Sequence, residues 1–428
     1  MTTMHDTADQ ARQASAAGLA AALAASRADT LATSSVFERS LERMSVPQRE
    51  TLNPPLWELG HIGWFQEFWC RRHAPDDPLG QRTPSRQPGA DGWWDSTRVP
   101  YATRWQLALP DWAGIHDYLA ATLADTLDAL AASRDGERYF FELALYHEDM
   151  HVEALLMTLQ SLALPLPPGY PRATASNAAV PGAETDIDFA GGTFMQGAPA
   201  GADATRFVFD NEKWGHEVTL APFALARRCV TNGEFADFVA DDGYRRRDLW
   251  SATGWQWRSA RAALHPAYWQ HEDGSWRQRR FADWAALSAA EPVIHVNAFE
   301  ADAYCAWAGR RLPTEAEWEF AAATVPRDAA ANLDHRRAGP AAAPCAGPGL
   351  AHMFGNVWEW TSSAFLPFPG FAPDPYAEYS APWFGEHRVL RGGSFATRSR
   401  LLHAGLRNFY LPERHDSFAG FRTCARTG

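Results

Sequence analysis

Cysteine is scarce in this chain. Five residues (Cys70, Cys229, Cys305, Cys345 and Cys424) are scattered through 428 positions without a C-x-x-C pair. An odd, sparse set argues against a disulfide framework and reads as free thiols in a reducing cytoplasm. Positive charge is also short, with a formal net charge of −12. That argues against a nucleic-acid partner, because neutralising phosphates needs a basic face. No apolar run approaches the ~18 residues of a membrane span, so no membrane partner is expected. Internal repeats and Gly-rich dinucleotide or phosphate-loop fingerprints are absent as well. "SAAGLAAALAAS" (Ser15 to Ser26) has the apolar content of a signal peptide but not the basic flank, since Asp6 and Asp9 precede it with only Arg12 as a fixed cation. An alanine-rich helix is the better reading.

What is present is an ordinary globular composition, 46% hydrophobic and 21% charged, with 19 tryptophans. The length exceeds what one core usually fills, so at least two domains are expected. Residues 1–165 read as helical, with stripes over Gln10–Ser26, Thr30–Ser45, Leu56–Arg72, Trp112–Ser133 and Tyr139–Leu162. Short turns and one longer loop, His73–Leu109, suggest a four-helix-type bundle. Residues 166–184 are Pro-, Gly- and Ala-rich and read as a linker. Residues 185–428 change character. Short strand-like pieces lie between turns, interrupted by helices expected at Thr231–Asp241, Ala298–Trp307 and Thr314–Ala323. The fold class is therefore α+β in two domains.

"ALYHEDMHVEAL" (Ala144 to Leu155) matches the zinc-protease pattern H-E-x-x-H at His147–His151. Residues four apart on a helix share a face, so both imidazoles can reach one ion. Two partly exposed histidines would be the bland explanation. Against it, the flanks are apolar, and a third histidine, His61, lies in another apolar helix, "LWELGHIGWFQEFW". Helical bundles bind metals by projecting ligands inward from facing helices. His61, His147 and His151 would form a three-imidazole face suited to Zn, Fe, Cu or Ni. The protease reading fares poorly. The extended metzincin form needs Gly and His where Ala154 and Met157 stand, and no downstream Glu helix of the thermolysin type is evident. Glu148, the general base of a protease, becomes a supporting carboxylate or simply faces another helix.

In the second half, "RRLPTEAEWEFAAA", "MFGNVWEWTSS", "RVLRGGSF" and "FAGFR" follow one another in order. This series resembles the formylglycine-generating-enzyme/sulfatase-modifying family, a C-type-lectin-like fold, over about residues 185–426. The two cysteines of the true formylglycine generator correspond to Thr397 and Leu402, so that thiol chemistry is not expected. "NPPLWELGHIGWFQEFW" and "YHEDMHVEALLMTLQ" resemble the three-histidine pattern of the DinB-like bundle. The two halves in this order resemble the ergothioneine-biosynthesis sulfoxide synthases. That resemblance implies a non-haem Fe(II) enzyme, with O2 as co-substrate, that attaches a chalcogen donor to the imidazole of hercynine, the trimethylated histidine betaine. It implies His61, His147 and His151 as iron ligands and binding of both substrates side by side, which supplies proximity. "DPYAEYS" offers Tyr376 and Tyr379 as the catalytic tyrosine, with Tyr376 the better match. Asn408 and Phe409 take the betaine-contacting positions, where Asn-Trp is usual, and aromatic faces suit a quaternary ammonium. Arg98 matches a donor-contacting arginine, whereas Arg104 reads as surface charge.

Two departures bear on the donor. The mycobacterial-type enzymes have an Asp that contacts the amino group of γ-glutamylcysteine, and Tyr410 stands there. A tyrosine does not pair an ammonium as a carboxylate does. Arg414 is retained, and Met150 replaces a common Gln. A neutral sugar does not need the Asp, which favours the selenoneine synthase branch and a selenosugar donor over cysteine or γ-glutamylcysteine. A DinB-type zinc thiol transferase is the rival enzyme, and a lectin-like binding module without turnover is the rival outside catalysis. His403 and His415 read as structural or solvated rather than as a second metal site.

Overall fold

The computed structural model describes residues 15–134, 136–171, 185–199, 207–325, 331–344 and 349–426. The described chain forms two compact units. One comprises the residues through Gly169 together with Phe207, and the other comprises the rest from Tyr170 onward. Most of the expected linker, residues 172–184, lies outside the described residues, as do residues 10–14 and Cys345.

The first unit is a helical bundle of α1 (Ala16–Ser40), α2 (Pro55–Glu67), the short α3 (Ala90–Trp94), α4 (Trp112–Ala132) and α5 (Tyr139–Ser161). α1 packs on α4 and α5, and α2 packs on the same pair, which makes a four-helix core. The two helices expected over residues 10–45 are one. Between their stripes lie only Arg27, Ala28 and Asp29, all compatible with a helix, and no Gly or Pro interrupts. Ser15 caps α1 through Gly18 N–H, and Asp111 caps α4 through Gly114 N–H. "NPP" starts α2 by placing Pro55 at the first helical position, where the missing N–H costs nothing. α2 then continues as a π-turn, Phe68–Arg72. The loop His73–Leu109 is more ordered than expected, because it contains α3 and a 3-10 segment, Tyr101–Gln106.

The second unit contains strands β1 (Asp186–Phe189), β2 (Gly192–Gln196), β3 (His216–Leu220), β4 (Phe223–Ala226), β5 (Trp269–Glu272), β6 (Ser275–Arg280), β7 (Asp283–Ala286), β8 (Arg310–Arg311), β9 (Trp358–Ala364), β10 (Arg388–Arg391), β11 (Asn408–Tyr410), β12 (Ala419–Gly420) and β13 (Cys424–Ala425). They form sheets in the orders β1-β4-β13-β8, β11-β10-β9-β12, β2-β3 and β5-β6-β7. Helices α6 (Asn232–Ala240), α7 (Ala252–Ala260), α8 (Ala298–Trp307) and α9 (Glu315–Ala322) complete it. Three of these begin with reciprocal capping boxes, Thr231/Glu234, Asn297/Glu300 and Thr314/Glu317, which the sequence writes as T-x-x-E and N-x-x-E. α7 and the β5-β6-β7 sheet were not anticipated.

The quoted motifs build this unit's core. Trp318 of α9 donates from its indole to Glu359 of β9, and Glu359 also pairs with Arg422 of "FAGFR". Arg391 of β10 is fully buried and pairs with Glu315 and Glu319 of "TEAEWE". After it, Gly392 has φ +92° and a side chain there would meet the Met353 carbonyl at 2.7 Å, so "RGG" needs its glycine.

Candidate functional site

His61 projects from α2, and His147 and His151 project from one face of α5. One ring nitrogen from each lies within 4.8 Å of the other two, which makes them the one such group among the described residues. His61 and His147 are buried and His151 is partly exposed. Two of the rings are oriented by hydrogen bonds. His61 donates from Nδ1 to the Trp94 carbonyl at 2.7 Å, and His151 Nδ1 lies 2.8 Å from the Glu58 carboxylate. Both arrangements turn Nε2 towards the cluster and fix the tautomer, as metal-binding imidazoles require. Glu58 sits one turn before His61 on α2, so one helix provides a ligand and the orienting carboxylate for another.

An aromatic shell surrounds the trio. Trp57 stacks on His61 at 5.0 Å, Trp64 lies 5.9 Å from it, and Phe65 lies face to face with His147 at 3.5 Å. Burial holds the His61 and His147 imidazoles well below their ordinary pKa range, and the neighbouring His151 adds to it. Rings that stay neutral are ready to coordinate. Glu148 points away from this cluster. It accepts from Arg27 Nε at 2.7 Å and Thr30 Oγ1 at 2.7 Å, both on α1. Arg27 also reaches Gln66 and the Leu119 carbonyl, while Asp149 accepts from Ser26. The H-E pair of the motif is thus split between a histidine cluster and a helix-packing ion pair.

The two arginines of the 90–106 region sit in different surroundings. Arg98 is exposed over 55% of its side chain, pairs with Asp95 at 3.1 Å, and lines a cavity of about 490 Å³ with Arg72, Ser85 and Asp91. Arg104, read as surface charge, is half-buried. It donates to Asn53 at 2.7 Å and lies 3.6 Å over the Trp57 ring that stacks on His61. Sequence reasoning missed this residue and Glu58. The signal for Glu58 was its E-x-x-H spacing to His61. Arg104 had no local signal, because its stacking partner is remote in sequence.

In the second unit, the remaining candidates form one neighbourhood. β11 is an edge strand, and it places Asn408, Phe409 and Tyr410 opposite Leu390, Val389 and Arg388. Phe409 stacks on Phe365 at 4.0 Å and meets Tyr379 edge-on at 6.0 Å. Tyr379 and Tyr376 lie 6.1 Å apart on the Asp374–Ser380 segment. Burial, with Glu212 and Asp210 nearby, pushes the Tyr379 phenol well above its usual range, so it keeps its proton. Arg414 lies 4.3 Å over the Tyr410 ring and pairs with Asp416 at 3.0 Å. His403 lies 2.8 Å from Glu212, and neither His403 nor His415 belongs to a three-ligand group among the described residues. Thr397 accepts from the Ser394 amide, and Leu402 is buried against Gly393, so neither position offers a thiol.

Comparison with known proteins matches both units. Residues 22–156 match the DinB superfamily, and residues 172–338 and 341–427 match the Sulfatase-modifying factor enzyme 1-like domain. Hercynine oxygenase of Mycobacterium tuberculosis is 37% identical over 395 residues, covering 87% of this chain and 90% of that protein. Hercynine oxygenase of Mycolicibacterium smegmatis is 36% identical over 440 residues, covering 94% of this chain and 97% of its own length. Among solved structures, PvdO from Pseudomonas aeruginosa aligns over 58% of this chain and all of its own, with 22% identity and a TM-score of 0.40. Similarity at this level through both domains places the chain in the hercynine oxygenase family, the ergothioneine sulfoxide synthase-like oxidative enzymes built from a DinB-like helical domain and a sulfatase-modifying-factor-like domain.

Proposed function

We propose that this protein is an Fe(II)- and O2-dependent enzyme that joins a chalcogen donor to the imidazole of hercynine, and that the donor is a selenosugar. The observation that carries the iron reading is the convergence of His61, His147 and His151, with His61 and His147 held neutral by burial and packed against aromatic rings, in a chain similar throughout to hercynine oxygenases. Those residues would hold the iron, which when bound supplies the redox chemistry that O2 needs. The bond-forming step removes a hydrogen from the imidazole carbon and one from the donor and releases two electrons. O2 accepts four, so oxygenation of the chalcogen supplies the other two, and one O2 yields one oxidised product and one water.

The chain's own groups have separable tasks. The Trp94 carbonyl and Glu58 hold two imidazoles in the coordinating tautomer. Trp57, Trp64 and Phe65 keep water from the imidazole faces. Tyr376, with Tyr379 beside it, is the candidate donor of a proton or hydrogen atom to the reduced oxygen. Asn408 and Phe409 are assigned to the betaine, through an amide oxygen and an aromatic face. Arg98, Tyr410 and Arg414 are assigned to the donor. The Tyr410 ring against the Arg414 plane offers a flat aromatic face and a hydrogen-bonding edge, which suits a sugar.

A sulfur donor such as cysteine or γ-glutamylcysteine is the second reading, favoured by the retained Arg414, whose guanidinium suits a carboxylate. The test is competition. The protein is reconstituted with Fe(II), given hercynine and air, and offered a selenosugar together with the thiols. Mass spectrometry is expected to find a C–Se product. Preference for γ-glutamylcysteine would remove the selenium branch alone. No product with any donor, or full activity with zinc in the absence of O2, would remove the reading altogether.

A further inference from the structure

The short stretch Phe209–Lys213 grips the segment that carries both candidate tyrosines. Phe209 stacks on Tyr379, with ring centres 4.4 Å apart and planes 20° from parallel. The buried Asp210 carboxylate accepts the Ser380 hydroxyl, and the Asp374 backbone amide lies against the same carboxylate. One side chain therefore ties both ends of Asp374–Ser380. Asn211 adds a bond from Nδ2 to Ser380 Oγ at 3.0 Å. Lys213 donates to both oxygens of Asp374, at 2.8 and 2.7 Å. This pair is largely enclosed, with side chains 14% and 20% exposed, and Lys213 is the single lysine in a chain of 428 residues.

The gripping stretch is itself anchored. Buried Arg407 donates to the Asn211 carbonyl at 2.7 Å and to Glu315 of α9 at 2.9 Å. Arg407 directly precedes β11, so one anchor serves both the tyrosine segment and the strand bearing Asn408, Phe409 and Tyr410. The held segment has only the three-residue 3-10 turn Ala377–Tyr379, and so short a turn does not fix its own shape. A surface ion pair ordinarily contributes little. Here the pair is two-pronged, enclosed and backed by an independent buried carboxylate.

We propose that Asp210 and Lys213 are positioning residues, which set the pose of Tyr376 and Tyr379 by holding Asp374–Ser380 at both ends. This rests on the reading that one of these tyrosines delivers a proton or hydrogen atom to reduced oxygen. A misplacement of about 1 Å at a reacting group costs roughly 100-fold in rate, so a loosened segment lowers turnover without removing a substrate contact.

Because Lys213 is the only lysine, an amine-acylating reagent reports directly on the grip, and its peptide is read by mass spectrometry. In the iron-loaded wild type Lys213 is expected to acylate slowly, and Asp374→Asn is expected to speed it at least tenfold. Lys213→Met and Asp374→Asn are each expected to lower kcat tenfold or more and to lower product formed per O2 consumed, with KM for hercynine within about threefold. The exchanged pair Lys213→Asp/Asp374→Lys is expected to recover most of the coupling, and Lys213→Arg to stay near wild type, which separates a lost grip from a lost fold. Wild-type kcat and coupling in both single variants, with a freely acylating Lys213 in Asp374→Asn, would overturn the proposal. If the wild type itself makes no product from hercynine, the functional reading falls, and equal acylation in wild type and Asp374→Asn would then remove the grip too.

Discussion

Glu58 and Tyr410 are the single residues on which the chemistry turns most visibly. Glu58 orients His151 without joining the trio, and such partners typically control metal affinity by about 10- to 100-fold. Glu58→Gln is accordingly expected to weaken Fe(II) binding by that factor in an anaerobic titration, while kcat at saturating iron changes less. Equal affinity would show that the contact does not tune the ring. Tyr410 is proposed to face the donor, and its ring is covered by Arg414. Tyr410→Asp should shift donor preference in a competition assay towards amino-bearing thiols; an unchanged preference would remove the main support for the sugar donor. Neither change touches a buried apolar core group, so both proteins should fold.

The element that decides how α5 sits is α1, through one enclosed ion pair. Arg27 and Glu148 have side chains only 4% and 1% exposed, and Arg27 also satisfies Gln66 and the Leu119 carbonyl. Removing one partner of such a pair leaves a buried charge and costs about 3–5 kcal/mol, whereas replacing both by apolar groups is often neutral. Arg27→Met should lose stability of that order in urea denaturation, and Arg27→Met/Glu148→Met should recover most of it. The close approach of α2 and α3 is a second constraint. A Cβ on Gly60 would meet the Trp94 indole at 2.0 Å, and Trp94 supplies the carbonyl that holds His61. Gly60→Ala should therefore cost about 1–3 kcal/mol by overpacking and weaken metal binding with it. Neither effect has a periodic signature. The apolar stripes located α2, α4 and α5, but the buried Arg27 lies between two stripes that form one helix. The hairpin of β5 and β6 was missed for a related reason. Its strands are mostly polar, although Asp273-Gly274, both with positive φ, is a strong two-residue turn signal.

At the scale of the whole molecule, acid is the expected weak point. His295 and His335 are buried, and burial lowers each to about 3. An unfolded chain would bind protons on both below about pH 6.5, while the native chain would not. The native state thus binds fewer protons between those values, and stability falls as pH drops through that window. From pH 7.5 to 4.5 each should cost roughly 2–3 kcal/mol. Buried carboxyls such as Glu300, raised to about 7 by burial, act in the opposite direction, so the comparison must be between variants. A His295→Gln/His335→Gln protein should lose about 4–6 kcal/mol less than wild type over the same range in chemical denaturation. Parallel losses would mean that neither ring stays neutral in the native state.

The sequence by itself determined the two-part composition, the starts of α2, α4, α5, α6, α8 and α9, and the three histidines that converge. Those features are local or periodic: a capping box spans four residues, proline marks a first turn, and i,i+4 histidines share a face in any helix. It also held the ordered motifs that give the second unit its core. Only the tertiary structure decided which groups serve the trio and which serve packing. Glu148 and Glu58 are chemically alike, yet one meets Arg27 and the other His151, because each carboxylate is assigned by the helix opposite it. Arg98 and Arg104 lie six residues apart, yet one is largely exposed and the other lies over the Trp57 ring, since stacking on Trp57 depends on where a distant helix places that ring. The hold of Phe209–Lys213 on Asp374–Ser380 spans 161 residues at its Lys213–Asp374 pair, a separation at which no spacing rule operates.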